Sequence, residues 1–391
     1  MPAPRFVWVT DVPTPYRVHQ LGALSRELAV RGAELEVLFM ARTVPWRFWR
    51  LDESSFGFSH RIVAGVHPRI DELAFHLNPG IPFSVLRRPP TWLMVGGAWW
   101  MPSALLAVCA ADLRSGRCKL IIGAEANPAA RTFHRGPVAE FRRVVMRRAD
   151  AFLVPGRIAR DAVAEACGTE RPFLPLPNLV DEATFGQRVE AMRSRRGELR
   201  TTWGVEDAGR VLVWPARLSE RHKGILRFLE TVGPLLRDDV KILIPGEGPD
   251  RRRMEEWLRD ARLPGVRLLG QVGEEQMVEL LALADGFLLP SLADPNPLSV
   301  VEALWAGLPI LMSNRCGNWP EAVEAGRNGW VVDPEAPDEV RSAFEDLLGR
   351  ETDLARMGRA SAAIATERFS TPRSVATFVD GLEGLVQGRA A

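Results

Sequence analysis

Two short stretches of the chain hold residue types suited to stabilising negative charge and to binding hydroxyl groups. In ARLSERHKG, Arg217 and Lys223 stand six positions apart, directly after the apolar run VLVWP. Two permanent cations on a strand-to-helix loop can flank a diphosphate and stabilise the charge that gathers on its oxygens as a bond to it breaks. A helix expected to start near Gly224 would add its N-terminal amides to the same field. The pair could also be a solvated basic loop. The chain has only three lysines, Lys119, Lys223 and Lys241, which makes the placement of this one informative. Further on, SLADPNPLSVVEALWAGLP carries Asp294 on a loop and Glu302 early in a helix expected from Pro297, with seven residues between them. A carboxylate accepts hydrogen bonds from two adjacent hydroxyls, as a ribose or a hexose offers. An early-helix acid is also an ordinary dipole partner.

The first half offers fewer such residues. Asp11 and Tyr16, the one tyrosine of the chain, follow the run FVWV in TDVPTPYRVHQL. They could hold a sugar or phosphate, or cap the turn and pack the loop on the next helix. Glu125, in LIIGAEANP, could contact a sugar or cap residues 127–131. Trp99 and Trp100 follow a Gly-Gly turn and could stack on a sugar face, although packing accounts for one of them equally well. The six histidines show no constellation: His222 adjoins Lys223, His19 lies on the first helix, and His60, His67, His76 and His134 read as surface or packing. Arginines at 131, 135, 142, 143, 147 and 148 read as a solvated helix face, or as a basic patch for a membrane surface or phosphorylated acceptor.

These residues need elements to position them. Uninterrupted apolar runs alternate with helical patterns from end to end: FVWV, LEVLF, WLMV, KLII and AFLVP in the first half, then VLVWP, KILIP, VRLLG, GFLLP, PILM and WVV. Such alternation implies parallel sheets covered on both faces, and two series imply two doubly wound domains. The polar segment 181–207 is expected to be a linker plus a helix. The expected division is residues 1–182 and 183–372, with a last helix at 373–391 returning to the first domain. In open parallel sheets ligands gather at the carboxyl ends of strands, where these candidates lie.

Length and composition agree with this division. The 391 residues suit two domains, and 46% apolar with 25% charged residues is ordinary for globular chains. A net charge of +1 gives no reason to expect nucleic acid as a partner. Cys109, Cys118, Cys167 and Cys316 form no metal-binding spacing and read as reduced thiols, so a cytoplasmic setting is expected. The first residues carry no signal-peptide pattern. Residues 91–111 hold no charge and could span a bilayer on length alone. Gly96-Gly97, two tryptophans and Pro102 break that run, so it reads as strand, turn and helix. GEG at 246–248 is not a dinucleotide fingerprint, because Arg251 stands where the third glycine belongs.

The second half resembles the family-4 retaining glycosyltransferases of GT-B fold. The resemblance rests on ARLSERHKG, IPGEGPDRRRMEE, VRLLGQV, LALADGFLLPSLADPNPLSVVEALWAGLPIL and EAVEAGRNGWVV, in family order over roughly residues 205–335. PNLVDEATF at 177–185 is similar to the family's interdomain string. The resemblance implies two Rossmann-like domains facing a cleft. It implies that Arg217 and Lys223 hold the donor diphosphate and that Glu302 binds the donor ribose. Asp294 takes the place of the family's first glutamate, near the donor sugar, with a side chain one methylene shorter. PNPLS replaces the frequent P-F-G-L. The amides of Leu298 and Ser299 would face the phosphates, Gly246 would border the donor, and Gly270, Gln271 and Val272 would lie by the base. Glu125 occupies a place where several relatives have a histidine facing the cleft.

The expected activity is transfer of a sugar from a nucleotide diphosphate sugar to an acceptor hydroxyl, with retention implied by the family. No cofactor is expected, since the two cations supply the charge that a metal would otherwise bring. The base is not fixed by the residues, with UDP placed ahead of GDP. A glycan, glycolipid or small-metabolite acceptor and a peripheral membrane contact all stay open. So do two rival readings, a sugar-nucleotide epimerase of the same fold and a non-catalytic sugar-nucleotide-binding subunit.

Overall fold

The first strand, β1 (Arg5–Thr10), is buried along its whole length, and its side chains alternate between two cores. Val7 and Val9 enter one, with Leu93, Val95 and Ile122. Phe6 and Trp8 enter the other, with Phe39, Trp92 and Phe378. This is the period-two pattern of a central strand covered on both faces. The computed structural model describes residues 3–44, 51–70, 73–96, 99–113, 118–130, 136–168, 171–349 and 353–387.

Around β1 a seven-stranded sheet is built from β2 (Glu34–Phe39), β3 (Ser59–Ile62), β6 (Trp92–Val95), β7 (Lys119–Gly123), β8 (Ala151–Val154) and β9 (Phe173–Pro175). A separate two-stranded pair, β4 (Arg69–Ile70) and β5 (Leu73–Ala74), lies between β3 and β6 in the chain. The order β3-β2-β1-β6-β7-β8-β9 reverses direction between β1 and β6, which pair in parallel. The second sheet comprises β10 (Arg210–Val213), β11 (Val240–Pro245), β12 (Val266–Gly270), β13 (Gly286–Leu289), β14 (Ile310–Ser313) and β15 (Gly329–Val332). Its order, β12-β11-β10-β13-β14-β15, reverses between β10 and β13. Where the order reverses, neighbouring loops diverge and leave room for a ligand at the carboxyl ends.

The chain forms two units. One comprises residues 1–126, 131–179 and 371–391, and the other comprises 127–130 and 180–370. The final helix, Thr371–Gln387, belongs to the first unit, where Phe378 packs on Phe6 and Trp8 at 6.1 and 6.3 Å. There the indole of Trp92 donates to the carbonyl of Leu382 at 2.9 Å. The polar segment read as a linker plus one helix folds as two, Glu182–Arg193 and Arg196–Thr202. Asp285 anchors the second by accepting from Arg196 and Arg200 at 2.6 and 2.7 Å. The uncharged run from Thr91 becomes β6 and, beyond residues 97–98, the helix Pro102–Asp112. Among the described residues no helix is long and apolar enough to cross a membrane.

Gly246 closes the end of β11. Its N–H donates to the carbonyl of Gly270 at 2.7 Å, and its φ is 142°. A Cβ there would lie 1.9 Å from the carbonyl oxygen of Ala216, inside the loop that carries Arg217. Neither the backbone angle nor the space admits a side chain. Gly186, inside the helix Glu182–Arg193, has nothing within 4 Å of that position. We expect Gly246→Ala to lower unfolding stability by at least ~2 kcal/mol, and Gly186→Ala to raise it by ~0.5–1 kcal/mol. Denaturant midpoints of the two variants check both signs.

Candidate active site

Loops from the two sides of the second switch point meet in an ion pair. After β10 the chain runs through Arg217 into a single helical turn, Glu220–Lys223, and the loop after β13 carries Asp294. The ammonium of Lys223 lies directly on the carboxylate of Asp294, and the two side chains are only 14% and 15% exposed. The backbones are tied as well, since the N–H of Ala293 donates to the carbonyl of His222 at 2.9 Å. His222 is itself held through Nδ1, 3.0 Å from the Ser219 hydroxyl. Arg217 lies exposed on the same loop.

The helix after Gly224, Ile225–Val232, begins where expected, but its first amides are already occupied. The carboxylate of Glu220 accepts from the N–H groups of Leu226 and Arg227 at 2.8 and 3.1 Å. A carboxylate at that position offsets the positive end of the helix, so those two amides are turned to Glu220 and not to a ligand beside Lys223.

Glu302 is the fifth residue of the helix Leu298–Trp305 and is half-buried. Burial, and then the negative charge of Glu274, push its carboxyl up to about 7. Leu298 and Ser299 form the half-buried first turn of this helix, which no side chain caps. Gly270 ends β12 with a φ of 76°, Gln271 beyond it is exposed, and Val272 is half-buried. Arg217, Gly246, Gly270, Asp294 and Leu298 lie in the loops or first helical turn at the carboxyl ends of β10 to β13, and Glu302 lies one turn further along the helix that follows β13.

In the first unit the matching edge holds Asp11, Tyr16, Glu125, Trp99 and Trp100. Arg17, which the sequence did not single out, organises three of them. Its guanidinium stacks 5.3 Å from the Tyr16 ring and 5.6 Å from the Trp8 ring, and lies 3.7 Å from Glu125. Burial alone would lower its pKa, yet Tyr16, Glu125 and Asp11 together hold it above the ordinary value. A cation in the first turn of Pro15–Val30 opposes the helix dipole, and that was the available signal that it needs partners. The cap of this helix is Thr14, not Asp11, and accepts from the N–H of Arg17 at 3.3 Å. Asn127, not Glu125, caps the following turn by accepting from Ala129 at 3.0 Å. Both tryptophans pack, Trp100 edge-on to Phe75 at 5.5 Å and Trp99 beside Phe141 at 6.3 Å.

His67 and His76 do form a pair, with their Nδ1 atoms 2.9 Å apart. Burial and His67 lower the pKa of His76, and Asp11 opposes the shift. Of the arginine face, Arg143 pairs with Glu140 and Arg148 with Asp112, while residues 131, 134 and 135 lie outside the described residues. Among the described residues no group of three or more His, Cys, Asp or Glu is placed to hold a metal.

Solved structures share this architecture. The Anabaena protein HepE, determined with UDP and glucose, matches with a TM-score of 0.74 over 97% of this chain and 99% of its own, at 16% identity. Sucrose-phosphate synthase from Thermosynechococcus elongatus matches with a TM-score of 0.70 over 98% and 100%, at 13% identity. The fold is that of the GT-B proteins, with two Rossmann-like parallel-sheet units. Residues 209–350 match the family described as Glycosyl transferases group 1. Among curated relatives, spore coat protein SA of Bacillus subtilis (strain 168) is 36% identical over 208 residues, 50% of this chain and 54% of that protein. The GDP-mannose-dependent alpha-(1-6)-phosphatidylinositol monomannoside mannosyltransferase of Mycobacterium tuberculosis (strain ATCC 25618 / H37Rv) is 28% identical over 263 residues, 63% of this chain and 66% of that protein. The matches therefore span about half to two thirds of these relatives' lengths.

The raised carboxyl of Glu302 has a thermodynamic consequence. Its folded value of about 7 lies above the unfolded value of 4.5, so the folded protein holds this proton more tightly between the two. Stability from this group is complete below the unfolded value and is lost as the pH climbs through 7. Glu302→Gln should therefore gain on the wild type between pH 5 and pH 8, by on the order of 2 kcal/mol. Paired denaturant titrations at the two pH values check it, and an equal difference at both would remove the carboxyl as the cause.

Proposed function

We propose that the chain is a retaining glycosyltransferase, moving a sugar from a nucleoside diphosphate sugar to an acceptor hydroxyl. The observation that carries this reading is the meeting of Lys223 and Asp294 at the switch point of the second sheet. A diphosphate needs the cation and a sugar needs the carboxylate, and the fold sets them side by side.

In this reading Lys223 and Arg217 take the charge that develops on the departing diphosphate. Asp294 turns to the hydroxyls of the donor sugar, and Glu302 accepts from the ribose. The first amides of Leu298 and Ser299 face the phosphates, Gly246 borders the donor, and Gly270 to Val272 flank the base. The acceptor hydroxyl attacks from the face the diphosphate leaves, and a leaving phosphate oxygen takes its proton. No protein base is then required. Asp11, Tyr16, Trp99 and Trp100 are assigned to the acceptor, and Glu125 to contact with the donor sugar or to orientation of the acceptor. Arg217 and Lys223 do the work of a metal.

The names of relatives support the donor class. One mannosyltransferase is GDP-mannose-dependent, and HepE was determined with UDP and glucose. UDP is placed ahead of GDP, and the nucleotide panel tests that order. The acceptor is assigned to cell-surface polysaccharide, glycolipid or glycosylated-metabolite synthesis, at the cytoplasmic face or in the cytoplasm.

Thermal unfolding with UDP, GDP, ADP, CDP and dTDP names the base, because ligand at 100 times its dissociation constant adds ~2.7 kcal/mol to the folded state. One of the five should raise the midpoint of the wild type and fail to do so with Lys223→Ala. Lys223→Ala, assayed where it is still folded, should lower turnover at least ~100-fold. Turnover within a few-fold of the wild type would remove Lys223 from the mechanism. Binding of intact nucleotide sugars without turnover on any acceptor would favour a non-catalytic binding subunit.

A further inference from the structure

Residues Asn127–Ala130 follow β7 in sequence but belong to the C-terminal unit. Asn127 ties them to it through two hydrogen bonds. Its side chain is buried, with 6% of the residue exposed. Both amide hydrogens are used: Nδ2 donates to the carbonyl of Asp294 and to the carbonyl of Arg315, each at 2.8 Å. Its Oδ1 accepts from Ala129, which orients the amide. Since both partners are carbonyls, only the NH2 end of the amide can face them.

The two carbonyls lie on the loops after β13 and β14, and these loops touch along a short parallel bridge between Asp294 and Cys316. The carbonyl of Asp294 also accepts from Gly317 at 2.8 Å, whereas among the described residues that of Arg315 receives, besides Asn127, a long bond of 3.4 Å from the N–H of Asp294. Without Asn127 the Arg315 carbonyl keeps that weak contact, and the bridge loses its clamp. An aspartate has only two side-chain torsions, so the reach of its carboxylate depends closely on the placement of its backbone. The chain has an aspartate at this position, and the backbone of that same aspartate is what Asn127 grips.

We infer that Asn127 is a positioning residue for recognition of the donor sugar, acting by fixing the backbone of Asp294. The inference rests on the reading of Asp294 as the carboxylate that faces the sugar. It places a sugar-specificity determinant in a segment that carries no catalytic group and follows a strand of the other unit's sheet.

The test compares wild type, Asn127→Ala, Asp294→Asn and the double variant, with dissociation constants for UDP and UDP-glucose, and for GDP and GDP-mannose if the uridine pair does not bind. Asn127→Ala should bind the free diphosphate within ~3-fold of the wild type and the nucleotide sugar ~10-fold more weakly. The double variant should lose no more than Asp294→Asn alone, because the two act through one group. Equal losses for diphosphate and nucleotide sugar, or losses that multiply, would overturn the inference and leave Asn127 a purely structural residue. Amide hydrogen exchange of the ligand-free protein provides a readout independent of the donor. Asn127→Ala should speed exchange at Asp294 and Gly317 by at least ~10-fold while leaving the amides of β10 and β11 unchanged. Unaltered exchange there overturns the positioning role whatever binds. Faster exchange at those two amides, with no nucleotide bound by the wild type, would instead sink the donor reading and leave the clamp standing.

Discussion

A largely buried ammonium cannot persist beside an apolar core without a counter-charge, and in the C-terminal unit that counter-charge is Asp294. The pair exists because β10 and β13 are hydrogen-bonded neighbours although two further strands separate them in sequence. Val213 pairs with Phe287, which fixes the level at which both loops leave the sheet. From there ten residues lead to Lys223 and seven to Asp294, which brings cation and carboxylate together. The rest of the site hangs on that register. Glu302 enters through the helix that ends the Asp294 loop, and the turn at Gly246 lies against the loop that bears Arg217.

Much of this was legible in the sequence because buried parallel strands are written as unbroken apolar runs. The central strands of both sheets, VLVWP and GFLLP included, announced themselves in that way. What escaped lies at edges or depends on distant partners. β3 reads SHRI, and its residues are half-buried or exposed, so it has no apolar run to display. Glu220 looked like one more surface acid, yet it caps a helix that begins beyond a left-handed glycine. Asn127 is indistinguishable in sequence from any asparagine before a proline, because its two partners lie about 170 and 190 residues away. The pairing of His67 with His76 likewise needed the fold to bring two loop residues together.

The two switch points differ in how their charges are managed. In the C-terminal unit the cation meets its carboxylate directly. In the N-terminal unit Arg17 is spread over several weaker partners, two aromatic faces and a carboxylate at 3.7 Å, with Gln20 accepting from it at 2.8 Å. A guanidinium tolerates this because it is planar and weakly hydrated, where an ammonium would demand a point partner. The choice of lysine in one unit and arginine in the other follows from these surroundings.

The return of the last helix to the first unit sets an order of assembly. Phe6, Trp8 and Trp92 bury one face of the first sheet against residues 375–382, which leave the ribosome after every strand of both sheets. Domains usually complete themselves in the order of synthesis. Here the C-terminal unit, closed by residue 370, is fully emerged while its predecessor still lacks a wall of its core. This core of the first sheet is therefore completed only when the seventeen-residue helix arrives, and until then Phe6, Trp8 and Trp92 lack that part of their cover.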